Sequence, residues 1–247
     1  MEFFVGLHHP SAARHFTDHS VCISVHCLHK RRSDFAVKRW MLDSGAFTTI
    51  ARDGGYLRPV NDYAAQIRRW SSVGQLAWAV TQDFMCEPSM LAKTGLTVLD
   101  HQCLTLERYD LLRMADCAGV PILPVLQGFQ PDEYARHVEM YGARLPQGSR
   151  VGVGSVCKRN SNPREILRVL RSIRSVRPDL RLHGFGLKVT ALRHPVIRGW
   201  LASADSMAWS YQARMAGRNA NDWREAVLLA QRVTAFDRSR SSLPFDA

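Results

Sequence analysis

An α/β fold, a (β/α)8 barrel of the TIM type, is what this sequence predicts, and three observations predict it. The chain has 247 residues, close to the roughly 250 of a one-domain barrel of that kind. Short apolar runs recur along it, and nearly every one ends in polar residues or glycine. Amphipathic helical patterns lie between the runs, which argues for parallel strands covered by helices.

The runs number eight, the barrel count. Phe3–Leu7 leads into His8 and His9, and Val21–Val25 into His26. Trp40–Leu42 ends at Asp43-Ser44-Gly45, and Leu76–Val80 leads to Gln82 and Asp83. Pro121–Leu126 stops at Gln127-Gly128, and Arg150–Val153 reaches Gly154-Ser155. Leu180–Leu182 gives way to His183-Gly184-Phe185-Gly186, and Leu201–Ala204 meets Asp205-Ser206. Helices are predicted over Asn61–Trp70, with Asn61 as N-cap, and over Thr97–Ala118. Pro131–Tyr141 and Pro163–Val176 each start with proline in the first turn, and Asp222–Val233 closes the pattern. Pro10–Ser20 is short for a crossover helix, so an open doubly wound sheet stands as the alternative. No repeat or linker divides the chain. The expectation is one catalytic barrel over residues 1–235 and a polar tail over 236–247.

Composition narrows the partners. At 46% hydrophobic the chain can bury one sizeable core. No run approaches the ~20 apolar residues of a membrane span. The opening MEFFVGLHHP lacks a basic flank and a cleavage site, so it reads as a first strand, and a cytoplasmic protein without a membrane partner is expected. Lys and Arg number 33 against 22 Asp and Glu, a net charge of +11. Such an excess attracts polyanions, nucleic acid first; a basic protein with no such partner is the competing reading. Six cysteines lie without CxxC spacing, which signals packed thiols rather than a zinc ribbon or a disulfide framework.

Strand ends in such a barrel converge on one rim. Asp43, Asp83 and Asp205 would therefore share a cavity, where like charges raise one another's pKa. Cleavage at an anomeric carbon needs paired carboxylates, one at the carbon and one handling the leaving group's proton. For each aspartate taken singly, a helix N-cap is the plainer role. Gln127-Gly128, Gly152-Val153-Gly154-Ser155 and Gly184-Phe185-Gly186 expose backbone that can approach a flat ring or a phosphate, or simply make tight turns. An enzyme acting on a duplex base must extrude it. Phe47, Phe84, Phe129, Phe185, Trp209 and Tyr211 are stacking candidates, each also a candidate for the core. Arg52, Arg58, Lys158, Arg159, Lys188 and Arg214 are the candidates for phosphate. His8-His9 with Asp205 suggests a metal-dependent barrel hydrolase, but adjacent residues cannot both face inward, and no metal is expected. His183 reads as structural or DNA-contacting.

Several of these segments resemble one enzyme superfamily. LDSGAF (Leu42–Phe47) resembles the DSGGFQ segment of tRNA-guanine transglycosylases. QDFMCEP (Gln82–Pro88) is similar to their base-recognition segment, VLQG (Val125–Gly128) to VQGG, GVGS (Gly152–Ser155) to a glycine-rich base-binding turn, and HGFGLK (His183–Lys188) to a late-strand MGVG. Together with FVGLHHP and SADSMAWSYQAR, they resemble most closely the DNA-acting branch, which installs 7-deazaguanine bases in phage and bacterial DNA. The likeness runs from Phe3 to Arg214. It implies a proton-handling Asp43, a base edge met by Asp83 and Gln127, and Gly128, Gly154, Ser155 and the Gly184-Phe185-Gly186 turn around the base, with Cys86 nearby. It implies a nucleophile from the last strand, for which Asp205 is the candidate, and no cofactor. Two departures stand out: direct alignment sets the tRNA enzymes' nucleophile at Ala208, and their zinc subdomain is lacking. The substrate implied is DNA, modified phage DNA included. The outcome is either exchange, with a free 7-deazaguanine as second substrate, or excision to an abasic site, as in a DNA glycosylase directed against phage. A tRNA-type RNA substrate and a non-catalytic nucleic-acid-binding barrel are the remaining alternatives.

Overall fold

In a parallel strand successive side chains point to opposite faces, and that alternation sorts this chain into an inner and an outer core. The computed structural model describes residues 1–159 and 162–238. Its strands are β1 (Glu2–Leu7), β2 (Ser20–Ser24), β3 (Arg39–Asp43), β4 (Gln75–Val80), β5 (Ile122–Leu123), β6 (Val125–Leu126), β7 (Arg150–Val153), β8 (Arg181–Gly184) and β9 (Leu201–Ser206). All pair in parallel, in the order β5-β4-β3-β2-β1-β9-β8-β7-β6.

The two ends of that order are neighbours in sequence. β5 and β6 are halves of one stave interrupted at Pro124, which has no N–H to give to a ladder. The first half pairs with β4 and the second with β7, so the nine segments make eight staves and the ring closes through residues 121–126. An open doubly wound sheet is thereby replaced by a barrel. At the break, the buried Tyr141 hydroxyl accepts from the Val125 N–H (3.2 Å) and donates to the Val125 carbonyl (3.1 Å).

Inward-facing residues stack in layers. Glu2, Ser20 and Arg39 meet at the strand starts, where the Glu2 carboxylate accepts from Arg39 (2.6 Å) and Ser20 (3.2 Å). Above them Phe4, Cys22, Met41, Trp78, Val80, Leu123 and Val125 form an apolar plug. Outward-facing Val5, Leu7, Val21, Ile23, Trp40 and Leu42 pack under the helices in the larger core.

The helices follow the sequence with local corrections. The second crossover helix spans Val60–Trp70 and starts after Pro59, so Asn61 lies in its first turn and is not the N-cap. Thr97 does cap the helix Val98–Met114, in a reciprocal box with Asp100. That helix ends before Ala118 because Ala115 turns to an extended conformation. Pro131–Tyr141 and Pro163–Val176 form as expected. The last helix, Trp223–Arg238, runs beyond Val233 into the expected tail, and residues 239–247 lie outside the described residues. Only a 3-10 turn, Pro10–His15, links β1 to β2. No described helix is long and apolar enough to cross a membrane.

Because the Tyr141 hydroxyl serves both polar groups of Val125 inside the fold, Tyr141→Phe leaves them unsatisfied. Urea denaturation is expected to show a loss of about 1–3 kcal/mol. Unchanged stability would mean that the interrupted stave does not depend on this bridge.

Candidate active site

The alternation that builds the plug carries polar groups one layer higher, at the C-terminal ends of the strands. Two residues beyond Met41 comes Asp43, two beyond Val125 comes Gln127, two beyond Gly152 comes Gly154, and Asp205, next to last in β9, pairs with Phe4. These residues, with Asp83, Ser155, Phe185 and Gly186, line one cavity of about 410 Å³.

Asp43 sits against the turn that starts the helix Ala46–Asp53. Its Oδ2 accepts the Gly45 N–H at 3.0 Å, and the Ser24 hydroxyl bonds to the carboxyl as well. Gly45 holds a left-handed φ of 71°, and a Cβ there would collide with the His26 ring; the position requires glycine. Burial, then the charge of Asp205, push Asp43 up to about 6, against the pull of the Gly45 and Ser24 bonds and of His26.

Asp83 belongs to a buried chain of amide, hydroxyl and thiol-bearing residues. The Gln127 side-chain amide donates to Asp83 Oδ2. Ser155 Oγ donates to Gln127 Oε1 at 2.9 Å and accepts the Cys86 backbone N–H at 3.2 Å. The Gln127 backbone is fixed too, its N–H on His137 Nδ1 (2.8 Å) and its carbonyl on Gln102 Nε2 (2.7 Å). Gln127 lies flat on Gly154, where any Cβ would overlap its amide. Ser155 takes a φ of 59° although it is not glycine, backbone strain of the kind found at functional sites. Burial pushes Asp83 to about 7, with the Gln127 bond opposing and the charge of Asp43 adding.

Asp205 keeps 14% of its side chain exposed. Its Oδ1 accepts the Gly186 N–H at 3.1 Å and faces His183 Nε2 at 3.2 Å. Four carboxyl groups, Asp43, Asp83, Glu87 and Asp205, therefore line one cavity; burial pushes Asp43 and Asp83 up, whereas Asp205 is held on Oδ1 by the Gly186 N–H and the His183 ring.

Some expected site residues stand elsewhere. Cys86 is fully buried behind Ser155, and burial pushes its thiol far up, so it is neither in the cavity wall nor a thiolate. Gly128 packs against Glu133 and Tyr134, and Gly184 against Leu187; both serve close packing rather than a ring in the cavity. Phe84 and Trp209 are core residues and Tyr211 is exposed, whereas Phe47, half exposed, does line the cavity. Among the expected phosphate contacts, Arg52 pairs with Asp53 (2.7 Å) and Arg58 with Asp62 (3.7 Å), both beside a second hollow. Arg159 covers the Phe129 ring at 4.6 Å and reaches Glu165 at 3.8 Å. Lys188 and Arg214 are exposed, Lys188 over the Tyr211 ring at 5.8 Å; the Lys158 side chain lies outside what is described. His8 faces the cavity and bonds Ser210 Oγ at 2.8 Å, whereas His9 is exposed. Among the described residues no group of three or more His, Cys, Asp or Glu is placed to hold a metal. Sequence reading missed Ser24, His26 and Met207 in the wall. Ser24 was available from alternation, since it continues the inward face of Cys22; His26 already lies in the short helix Val25–Leu28, where that alternation no longer holds.

The family model for DpdA, DeoxyPurine in DNA protein A, matches residues 1–223. The chain belongs to the DpdA family. Membership implies an enzyme that acts on bases in DNA, so DNA is its substrate. No curated protein matches the chain significantly.

Asp43 and Asp83 in this DpdA-family chain hold their protons more tightly folded than unfolded. Their contribution to stability is complete below about 4 and is lost as pH rises through about 6 and about 7. Asp83→Asn removes the larger part. Urea titrations are expected to find this variant equal to wild type near pH 4 and more stable at pH 8, by on the order of 2 kcal/mol. A variant that is less stable at both pH values would contradict the assignment.

Proposed function

We propose that this DpdA-family enzyme exchanges a guanine in DNA for a 7-deazaguanine, with Asp205 as nucleophile and Asp43 as proton carrier. The observation that carries the reading is the meeting of those two carboxyls at one cavity beside the Asp83–Gln127–Ser155 chain. The cavity, at about 410 Å³, falls in the range of small-molecule sites.

The chemistry follows from the differing environments. The Asp205 carboxylate attacks C1′ of the deoxyribose, and the C1′–N9 bond breaks with its electron pair going to the base. Asp43, protonated up to about 6, supplies the proton that the departing purine takes up. The sugar is then an ester of Asp205. An incoming 7-deazaguanine gives its N9 proton to the Asp43 carboxylate, attacks C1′ and releases Asp205. Guanine offers neighbouring N–H donors that Asp83 can accept and an O6 that the Gln127 amide can meet, and the replacement base keeps both features. Water in place of the incoming base would turn the same ester into an abasic site. Ala208, where alignment with the tRNA enzymes sets the nucleophile, begins the helix Ala208–Met215 and has no group able to attack; Asp205, in the cavity wall, takes that role in this reading.

The experiment uses guanine-labelled duplex DNA with and without labelled 7-deazaguanine. Label entering the DNA marks exchange, and alkali-labile sites without added base mark excision. Asp43→Ala and Asp205→Ala are each expected to lower base release at least about 10³-fold with DNA affinity little changed. Full activity in both variants would refute the assignment.

The acid role also fixes a pH dependence. Single-turnover guanine release is expected to fall as pH rises past about 6, about tenfold per pH unit where protonation limits the rate. A rate that climbs through that range would instead make Asp43 a base in the first step.

A further inference from the structure

One buried histidine touches Asp205 without lining the cavity, and its own partners fix which way it carries its proton. His183 on β8 is fully buried. Its Nδ1 lies 2.9 Å from Ser203 Oγ and its Nε2 lies 3.2 Å from Asp205 Oδ1. Ser203 is also fully buried, and its Oγ accepts from Arg150 Nη1 at 2.7 Å. A guanidinium has only donors, so toward Arg150 the Ser203 oxygen must accept. The Ser203 hydroxyl proton is then free for His183 Nδ1, and because an ionised carboxylate only accepts, Nε2 carries the N–H that Asp205 receives. The chain of donors runs one way: Arg150 to Ser203 to His183 to Asp205.

The backbone is shaped for this contact. Leu182 pairs with Leu201, but His183 pairs with Ser203, so Ala202 is an extra residue in β9. That irregularity sets His183 opposite Ser203, and alternation then puts Asp205 on the same inward face. Phe4, Trp78 and Phe185 enclose the ring with centroids at 6.1, 6.3 and 4.7 Å, leaving it little room to turn. Both bonds to the carboxylate, from His183 and from Gly186, fall on Oδ1; among the described residues none falls on Oδ2.

We infer that His183, its tautomer set by Ser203 and Arg150, is a positioning residue that holds Asp205 by Oδ1 and presents Oδ2 to the sugar carbon. This deepens the proposed reaction and rests on the reading of Asp205 as nucleophile. A carboxylate held by one oxygen meets C1′ with the other at a fixed angle. The other ionisable groups that feel the charge of Asp205 are Asp43 on β3 and Cys22 on β2.

The test keeps those two groups intact and reads the contact directly in the full chain. 15N NMR of the His183 ring is expected to show the proton on Nε2; a wild-type ring protonated on Nδ1 overturns the inference. The titration of the Asp205 carboxyl, followed by 13C NMR, is expected to move up by about one pH unit in His183→Leu, which removes an N–H from the carboxylate. It is expected to stay in place in His183→Gln, whose amide can donate from the same position. Ser203→Ala moves it the same way by less, and decides the matter if the leucine variant does not fold. An Asp205 midpoint unchanged in the leucine variant, or in the alanine variant where only that one folds, overturns the inference. In base release, His183→Leu is expected to be slower by about 100-fold, with DNA affinity retained, and His183→Gln to recover to within about tenfold. If wild-type enzyme releases no base from any DNA, the proposed reaction fails, while the two NMR readouts still decide the relay.

Discussion

Asp43 and Asp83 have an apolar floor beneath them, made by Phe4, Met41, Trp78, Val80, Leu123 and Val125. A carboxylate in water is solvated from all sides; here one side is hydrocarbon and aromatic ring, which favours the neutral form. Bonds from Gly45, Ser24 and Gln127 pull the other way and do not prevail, so the two groups come to rest at about 6 and about 7. Asp205 shares the cavity under a different constraint, with two N–H groups on one oxygen. Carboxyls of the same type are thereby set to different tasks by their surroundings, the general pattern of acid–base pairs in enzymes. The plug is thus an electrostatic part of the site as well as a core.

Precision in the base-facing wall comes from backbone rather than from side-chain bulk. Gln127 is held by its amide, its carbonyl oxygen, its N–H and its C=O, and the face it lies on is a glycine because nothing larger fits. Ser155 pays for its place with a left-handed φ, and its hydroxyl joins Gln127 to the backbone of Cys86. A group pinned from several directions loses little freedom when a ligand arrives, which is what preorganisation means in energetic terms. The helices Pro131–Tyr141 and Val98–Met114 supply His137 and Gln102 to this arrangement from outside the barrel. Outer helices therefore reach the site through the hydrogen bonds of one glutamine.

Alternation explains how much of this could be read from residues alone. Eight apolar runs and their polar ends locate the staves, and Asp43, Asp83, Gln127, Gly154 and Asp205 fall in one wall because strand ends of a barrel converge. What alternation cannot give is which neighbour a side chain meets across the ladder. The Ala202 irregularity moves β9 by one residue against β8, so the contact of His183 with Asp205 depends on a register that no local pattern encodes. Gly128 and Gly184 illustrate a second limit: a glycine beside a site is here required by side chains packed behind it, and sequence does not distinguish the two faces. Cys86 is placed by its backbone, which any residue type offers. Asn61 failed as a cap because Pro59, two residues earlier, already fixes the backbone at the start of that helix.

The positive charge shows the same distinction between composition and placement. A net +11 predicts attraction to polyanions, yet many arginines are committed within the fold's own surface. Arg52, Arg68, Arg69, Arg144, Arg177 and Arg218 each have a carboxylate within 3.0 Å. An exposed pair of this kind adds little stability and offers an approaching phosphate no net charge. Arg159, the most attractive in sequence as part of a strand-end Lys-Arg pair, has its head over Phe129 and toward Glu165. Beside the cavity, by contrast, the helix Ala208–Met215 that follows β9 bears Arg214, with Lys188 over Tyr211 on the same helix, and Tyr211 and Met215 are 58% and 68% exposed. Cation and aromatic surface side by side is the mixture that nucleic acid strands favour. Its position follows from the chain itself, because the helix begins two residues after the last strand ends at Ser206, and that strand carries Asp205.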